Sequence, residues 1–356
     1  MPKPEIRYTQ NPWQNQYSEI IDVRSPTEYA EDHIPSAINL PVLDDLERAK
    51  VGTIYKQVSN FTARKVGAAL IAKKVAYYLE THFADKDTQY TPLIYCWRGG
   101  QRSGSLAMLL QQIGWRVTVL VGGYKTYRRY VREQLEKLPG KFDYKILCGL
   151  TGTGKTAILR QLKEKNAQVL DLEAIANHRG SLLGQEWQLK QFTTQPSQKW
   201  FESLLLKQLQ KFNPQQPVWV ESESNKIGEV YLPSSLWQKF QKSTCLEIKL
   251  PLAARINWLL ATYPHLAQQG ELLKQKLSHL KARYGHKTLK RWYELIDNQQ
   301  GYDFIQDILL NHYDPAYQKS LQRTYQPVKK IIELANLSPE SINQAVDILL
   351  ENSAER

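Results

Sequence analysis

The chain has no run of apolar residues approaching the length that a bilayer-spanning helix needs, which excludes the helical membrane proteins. Its first residues, MPKPEIRYTQNPWQ, lack a basic stretch leading into an apolar core, so no secretory leader is expected and the cytoplasm is the default compartment. Cysteine is scarce. Cys96, Cys148 and Cys245 are too few and too scattered for a disulfide framework or a Cys-x-x-Cys metal site, and all three are expected as reduced thiols. Internal repeats and low-complexity tracts are also missing. Acidic residues are outnumbered, 35 against 47 Lys and Arg, and the net charge of +12 favours a polyanionic partner provided the charge gathers in a patch. What remains is ordinary for a globular protein: 42% hydrophobic residues and a length of 356, enough for two domains that each bury a core.

Short β-branched runs at 19–25 (EIIDVRS), 92–96 (PLIYC) and 115–123 (WRVTVLVGG) read as strands. Between them, 63–83 and 103–115 carry apolar residues at helical spacing, for example Leu106, Leu109, Leu110 and Ile113. Strands alternating with helices predict an α/β domain with a parallel sheet over residues 1–138, closed by a charged linker helix that stops at Pro139-Gly140. A second α/β series over 139–251 has strands in YKILCGL (144–150), AQVLDLE (167–173), PVWVESES (217–224) and CLEIKLP (245–251). From 252 to 356 the pattern turns helical and basic.

The stretch YCWRGGQRSGS (95–105) sets Cys96 after a strand, in a loop with Gly99 and Gly100, flanked by Arg98 and Arg102 and followed by a helix that Ser103 is placed to cap. Loop amides, a helix N-terminus and arginines all favour a thiolate. The pattern is an anion cradle with a nucleophile at its base, set against the plainer reading of a buried small apolar residue. Cys148 and Cys245 sit in apolar strands, where the plainer reading holds.

GLTGTGKT (149–156) fits G-x-x-x-x-G-K-[ST] between a strand and a helix. Amides around Gly149, Gly152 and Gly154 would wrap phosphate oxygens, Lys155 would reach the terminal phosphates and Thr156 would ligate Mg²⁺. A further carboxylate for the metal is expected at the end of a neighbouring strand, which nominates Asp171 and Glu221 or Glu223. No base-reading motif accompanies the loop, so its ligand need not be a nucleotide. Residues 274–291 hold seven Lys or Arg and no acid. With Leu273, Leu277, Leu280 and Tyr284 as the buried stripe, Lys281, Arg283, Lys287, Lys290 and Arg291 face solvent; together with Arg128, Arg129 and Arg132 they are candidates for RNA phosphates. Tyr284, Trp292 and Tyr293 are candidates to stack on unpaired bases.

The cysteine loop, DVRSPTEYAEDHIPSAINLP (22–41) and VLVGGY (119–124) resemble the rhodanese-like sulfurtransferases, with Asp22, Arg24 and His33 as scaffold. Five residues separate Cys96 from Arg102, one more than in the usual rhodanese loop and equal to the spacing of the cell-division-cycle phosphatases and arsenate reductases. Such a domain followed by a phosphate loop resembles the tRNA 2-selenouridine synthase family, as do ERAKVGTIYKQ (47–57), SQKWFESLL (197–205) and VWVESESNKIG (218–228). The resemblance implies a transferase acting on tRNA with a wobble 2-thiouridine, geranylating its sulfur from geranyl diphosphate and then replacing it with selenium from selenophosphate. Cys96 would carry selenium as a perselenide or hold selenophosphate, with Arg98 and Arg102 neutralising the donor; a selenophosphate-supplying enzyme is an implied partner. The phosphate loop would hold the prenyl donor, with Trp187, Trp200, Phe201 and Trp219 as candidate walls of a prenyl groove. A sulfurtransferase, a phosphatase or arsenate reductase, and a nucleotide-gated RNA-binding protein without catalysis are the rival readings.

Overall fold

The computed structural model describes residues 4–178, 195–262 and 270–354. They form two compact units, one of Met1–Gln134 with Lys199–Lys207 and one of Leu135–Gln198 with Gln208–Arg356. Among the described residues no helix is long and apolar enough to cross a membrane.

In the first unit, strands β1 (Arg7–Thr9), β2 (Glu19–Asp22), β3 (Ile38–Asn39), β4 (Pro92–Tyr95) and β5 (Thr118–Leu120) form a sheet in the order β1-β5-β4-β2-β3. Every pairing is parallel. All four residues of β4 are buried, as expected of a central strand covered on both faces. Helices α1 (Pro26–Glu31), α2 (Asp45–Gln57), α3 (Asn60–Glu80), α4 (Gln101–Ile113) and α5 (Tyr124–Lys137) connect or follow the strands. Ser59 caps α3 by accepting from Thr62 N at 3.0 Å, and Ala63, Gly67, Ile71, Val75 and Tyr78 form its single buried stripe. That spacing by threes and fours is why the segment is helical. Cys96 directly follows β4, so the central strand delivers the thiol to the carboxyl end of the sheet, where open α/β sheets bind ligands.

The second unit repeats the logic. Strands β6 (Tyr144–Cys148), β7 (Gln168–Leu170), β8 (Val218–Glu221), β11 (Thr244–Lys249) and β12 (Val328–Glu333) lie in the order β12-β11-β6-β8-β7, all parallel, while β9 (Lys226–Ile227) and β10 (Val230–Tyr231) make a separate ribbon. Helix α6 (Lys155–Glu164) follows β6 through the phosphate loop and α7 (Leu172–Ala176) comes next; α8 (Gln198–Leu209) belongs, through Lys199–Lys207, to the first unit, and α9 (Ser234–Gln241) returns to the second. The C-terminal part holds α10 (Leu252–Thr262), α11 (Gly270–Ser278), α12 (Lys281–Asp297), α13 (Gly301–Ile308), α14 (Asp314–Thr324) and α15 (Pro339–Ala354). It is not wholly helical: β12, VKKIIE, extends the second sheet. Only Ile332 of that strand is buried, and its two lysines are exposed as suits a sheet edge.

The expectation of three reduced thiols is corrected. Cys148 and Cys245 form a disulfide, with Cα atoms 6.4 Å apart, and Cys96 is the one free cysteine. In the register of β6 with β11, Cys245 faces Ile146 and Glu247 faces Cys148, so the two cysteines lie two positions apart on one face of adjacent strands. Their separation of 97 residues conceals this in the sequence.

Candidate functional site

The Cys96 loop is closed from below by VLVGGY. Tyr124 N donates to Cys96 O at 2.8 Å and Lys125 N to Trp97 O at 3.2 Å. The close approach requires glycine: at Gly123, φ is +56°, and a Cβ there would sit 2.1 Å from Cys96 O and 2.6 Å from Gly99 N. Gly99 also has positive φ, whereas Gly100 does not and is the N-cap residue of α4. Ser103 therefore does not cap the helix. Its hydroxyl lies 3.2 Å from the buried Cys96 Sγ, to which it donates, and 3.2 Å from Gly100 O.

The arginines divide. Arg98 is exposed at the loop, but Arg102 donates to Glu28 Oε2 at 2.7 Å, and Arg48 from α2 approaches Glu28 Oε1 at 3.5 Å. Burial works against the charge on Glu28, yet the bond to Arg102 and the charges of both arginines hold its carboxyl below the usual range. Arg102 thus meets an incoming anion with its charge already shared. Beneath the loop, Asp22 and Arg24 form a fully buried ion pair at 2.6 Å, with the guanidinium 4.0 Å from the centre of the Tyr124 ring. His33 is stacked between Tyr29 at 3.8 Å and Trp200 at 4.0 Å.

In the second unit, Gly149, Gly152 and Gly154 all take positive φ, bending the loop from β6 into α6 as side chains resist doing. Lys155 folds back along the loop, donating to Gly149 O at 2.7 Å with Glu221 Oε1 at 3.4 Å, and Thr156 Oγ1 donates to Glu221 Oε2 at 3.1 Å. Elements far along the chain fix the loop. Arg255 Nε donates to Thr151 O at 2.8 Å while its guanidinium grips Asp314 at 2.6 and 2.9 Å, and Gly149 N donates to Tyr317 Oη at 2.9 Å.

Glu173, Glu221 and Glu223 bring carboxylate oxygens within 4.8 Å of one another. Burial first, then the Glu221 charge, pushes Glu173 up to about 9 and Glu223 up to about 8. Asp171 is not part of this group: it caps α7, accepting from Ala174 N at 2.9 Å. Glu173, two residues on, is the acid of this segment that lies beside Glu221 and Glu223, while β7 itself ends at Leu170, short of the 167–173 expected. Three hard carboxylate donors beside a threonine hydroxyl suit Mg²⁺. The loop and these acids border a cavity of about 440 Å³ whose lining mixes apolar residues, Trp258, Leu259 and Leu321, with polar ones, His312, Ser320 and Tyr325.

The expected prenyl wall is corrected. Phe201 and Trp219 are buried core residues and Trp200 is occupied by His33, while Trp187 lies outside the described residues. The RNA candidates also separate. Arg128 is turned inward to Glu202, with Asp32 at 3.9 Å, so it is not a surface cation; Arg129 and Arg132 are exposed, Arg129 with Glu133 at 4.0 Å. Lys290 pairs with Glu294 at 3.8 Å and Arg291 with Asp307 at 2.5 Å, leaving Lys281, Arg283 and Lys287 exposed around a break at Gly285, where φ is 73°. Trp292 is core, and Tyr284 and Tyr293 bond to His312 and to Lys274 O, so none of the three is presented to bases.

A family model described as the rhodanese-like domain matches residues 7–130. A second, described as the tRNA 2-selenouridine synthase AAA domain, matches 142–335. Proteins named tRNA 2-selenouridine synthase are 31% identical in Nitrosomonas europaea, over 85% of this chain and 89% of theirs, and 31% identical in Bdellovibrio bacteriovorus, over 86% and 89%. One from Shewanella frigidimarina is 32% identical over 85% and 88%. Because the match spans both units and most of each relative, the chain belongs to the tRNA 2-selenouridine synthase family.

Proposed function

We propose that the protein converts the wobble 2-thiouridine of tRNA to 2-selenouridine in two steps, through S-geranyl-2-thiouridine. The observation that carries this reading is one chain holding both a buried thiol in a glycine-built cradle and a phosphate loop that opens on a cavity with apolar residues, Trp258, Leu259 and Leu321, among its polar lining. Each suits one step. In the first, the thiocarbonyl sulfur attacks C1 of geranyl diphosphate, the C–O bond breaks, diphosphate leaves, and the base's N3 proton passes to solvent, from which it returns when the selenocarbonyl forms. Lys155 and the loop amides hold that diphosphate, and the prenyl chain lies against Trp258, Leu259 and Leu321. Glu173, Glu221, Glu223 and Thr156 would hold Mg²⁺, which when bound screens the diphosphate charge. A nucleotide fits the loop equally, and Ser320 and His312 in the cavity lining are groups that a base could meet, so the experiment below separates the two ligands.

S-alkylation turns a poor leaving group into a good one. In the second step selenium of selenophosphate forms a bond to C2, the C2–S bond breaks with its electron pair on geranylthiolate, and water takes the phosphoryl group. Cys96 holds the selenium donor at this loop, with Ser103 positioning its sulfur and Arg98 countering donor charge. The test is the mass of the wobble nucleoside after incubation with 2-thiouridine tRNA, geranyl diphosphate and selenophosphate. Wild-type protein is expected to give 2-selenouridine, Cys96→Ser to stop at the geranylated nucleoside, and Lys155→Ala to leave 2-thiouridine. An unaltered nucleoside with wild-type protein rejects the reading, and geranylation by Lys155→Ala with ATP binding lost returns the phosphate loop to a nucleotide.

A further inference from the structure

The basic block singled out in the sequence near the C-terminus is partly paired, through Lys274, Lys290 and Arg291, and carries no Phe, Tyr or Trp ring presented to solvent; a second basic block does. Residues 48–74 hold seven Lys or Arg and no acid. They make up most of the α2–α3 hairpin of the first unit. The two helices pack closely, with Gly67 of α3 against Val51 of α2, where a Cβ would stand 3.5 Å from the valine. Helix α2 has no buried residue at all. At the turn and on α2, Leu46, Tyr55, Val58 and Phe61 are 83%, 54%, 69% and 74% exposed. Lys50, Lys56, Arg64 and Lys65 are exposed around them, and among the described residues none has a carboxylate within 4.0 Å. Exposed Ala68, Ala69 and Ala72 continue the surface along α3 without bulk.

We propose that this hairpin is a docking surface for single-stranded RNA, the loop of the tRNA that carries the base to be modified. The inference rests on the tRNA-modifying function proposed above. Two observations select the partner. Unpaired cations beside the exposed rings of Tyr55 and Phe61 match the phosphates and unstacked bases of a single strand, with no carboxylate within 4.0 Å of Lys50, Lys56, Arg64 or Lys65 among the described residues to compete for them. The hairpin is also rooted at the thiol loop: Asp45 accepts from Thr27 Oγ1 at 2.8 Å, and Arg48 shares Glu28 with Arg102 of the cradle. Tyr55 stands seven positions after Arg48 on α2, about 10 Å at helical rise. A strand laid along α2 therefore reaches from the aromatic turn to the Cys96 loop within a few nucleotides.

The test is the affinity of full-length protein for fluorescently labelled 2-thiouridine tRNA as a function of salt. K50A/K56A/R64A/K65A is expected to weaken binding at least about tenfold and to reduce the slope of log K against log salt by about 3, from four lost contacts to a single strand. Y55A/F61A is expected to weaken it about fivefold or more with the slope unchanged, since stacking releases no counterions. The altered side chains are exposed, so both variants should keep the wild-type thermal midpoint, which is measured alongside. Wild-type affinity and slope in both variants overturn the inference. So does unchanged tRNA binding together with loss of wild-type binding to phosphatidylserine vesicles, which would make the hairpin a membrane contact. Failure of the wild-type protein itself to bind tRNA strikes the proposed function rather than the hairpin alone.

Discussion

Gly123 shows how little freedom the thiol loop has. A methyl there would meet two backbone atoms, Cys96 O at 2.1 Å and Gly99 N at 2.6 Å, neither of which can swing aside as a side-chain tip can. The residue also holds φ at +56°, a region that costs an alanine about 1 kcal/mol or more. Gly123→Ala is therefore expected to distort the cradle while leaving the phosphate loop intact. In the nucleoside assay it should stop at the geranylated product, like Cys96→Ser; full selenation by Gly123→Ala would show that the loop tolerates the shift. Ser103 is a finer case. Its place suggested a cap, but Gly100 holds the N-cap position and Ser103 lies inside the first turn of α4, where its hydroxyl faces the sulfur. Which of two acceptors a hydroxyl meets depends on its rotamer, and no spacing rule encodes that.

Among the elements, the strands that deliver both loops were legible because central parallel strands are continuous apolar runs, as in PLIY of β4 and VWV of β8. β12 was not, since an edge strand with two exposed lysines and one buried residue resembles its helical surroundings. The phosphate loop itself was legible from its glycines and lysine, but its supports were not: Arg255 and Tyr317 act across 104 and 168 residues of sequence. The disulfide and Glu173 were hidden for the same reason, being neighbours only once the sheet is assembled. Thiol titration checks the disulfide: unfolded, unreduced protein should yield one thiol per chain, and three after reduction. A count of three without reductant would exclude the cross-link.

The support of the loop by α10 and α14 has its own consequence. Arg255→Leu leaves Asp314 buried and unpaired, a loss of about 3–5 kcal/mol for a buried pair. Tyr317→Phe is milder, removing only the hydroxyl that accepts from Gly149 N and meets Ser222 Oγ at 2.5 Å. By calorimetry with geranyl diphosphate, Tyr317→Phe is expected to lower affinity about tenfold, the worth of one or two lost hydrogen bonds at the loop. Unchanged affinity would mean that the loop holds its shape without α14.

For the molecule as a whole, the acids at the phosphate loop set the pH dependence of stability. Glu173 and Glu223 bind protons more tightly folded than unfolded, because burial and the Glu221 charge oppose their ionisation. For such groups the unfolded state holds fewer protons, so stability falls as pH rises. Their contribution is whole below the ordinary carboxylate value of 4.5 and is lost as pH climbs through about 8 and about 9. His33, His178 and His312 act in the opposite sense, with burial lowering each below 6.5, so their effect is confined to the acid side. Across pH 7 to 9 the two glutamates titrate while the histidines no longer do, so the thermal midpoint should decline, and the double variant below assigns that decline. Glu173→Gln/Glu223→Gln replaces the carboxylic acids with neutral groups of the same shape, and the decline should flatten. Mg²⁺ supplied with inorganic diphosphate should restore the wild-type midpoint more at pH 9 than at pH 7, because at pH 9 it meets carboxylates already stripped of their protons. A double variant that keeps the full decline would place the titrating groups elsewhere and remove the acid cluster as the seat of the effect.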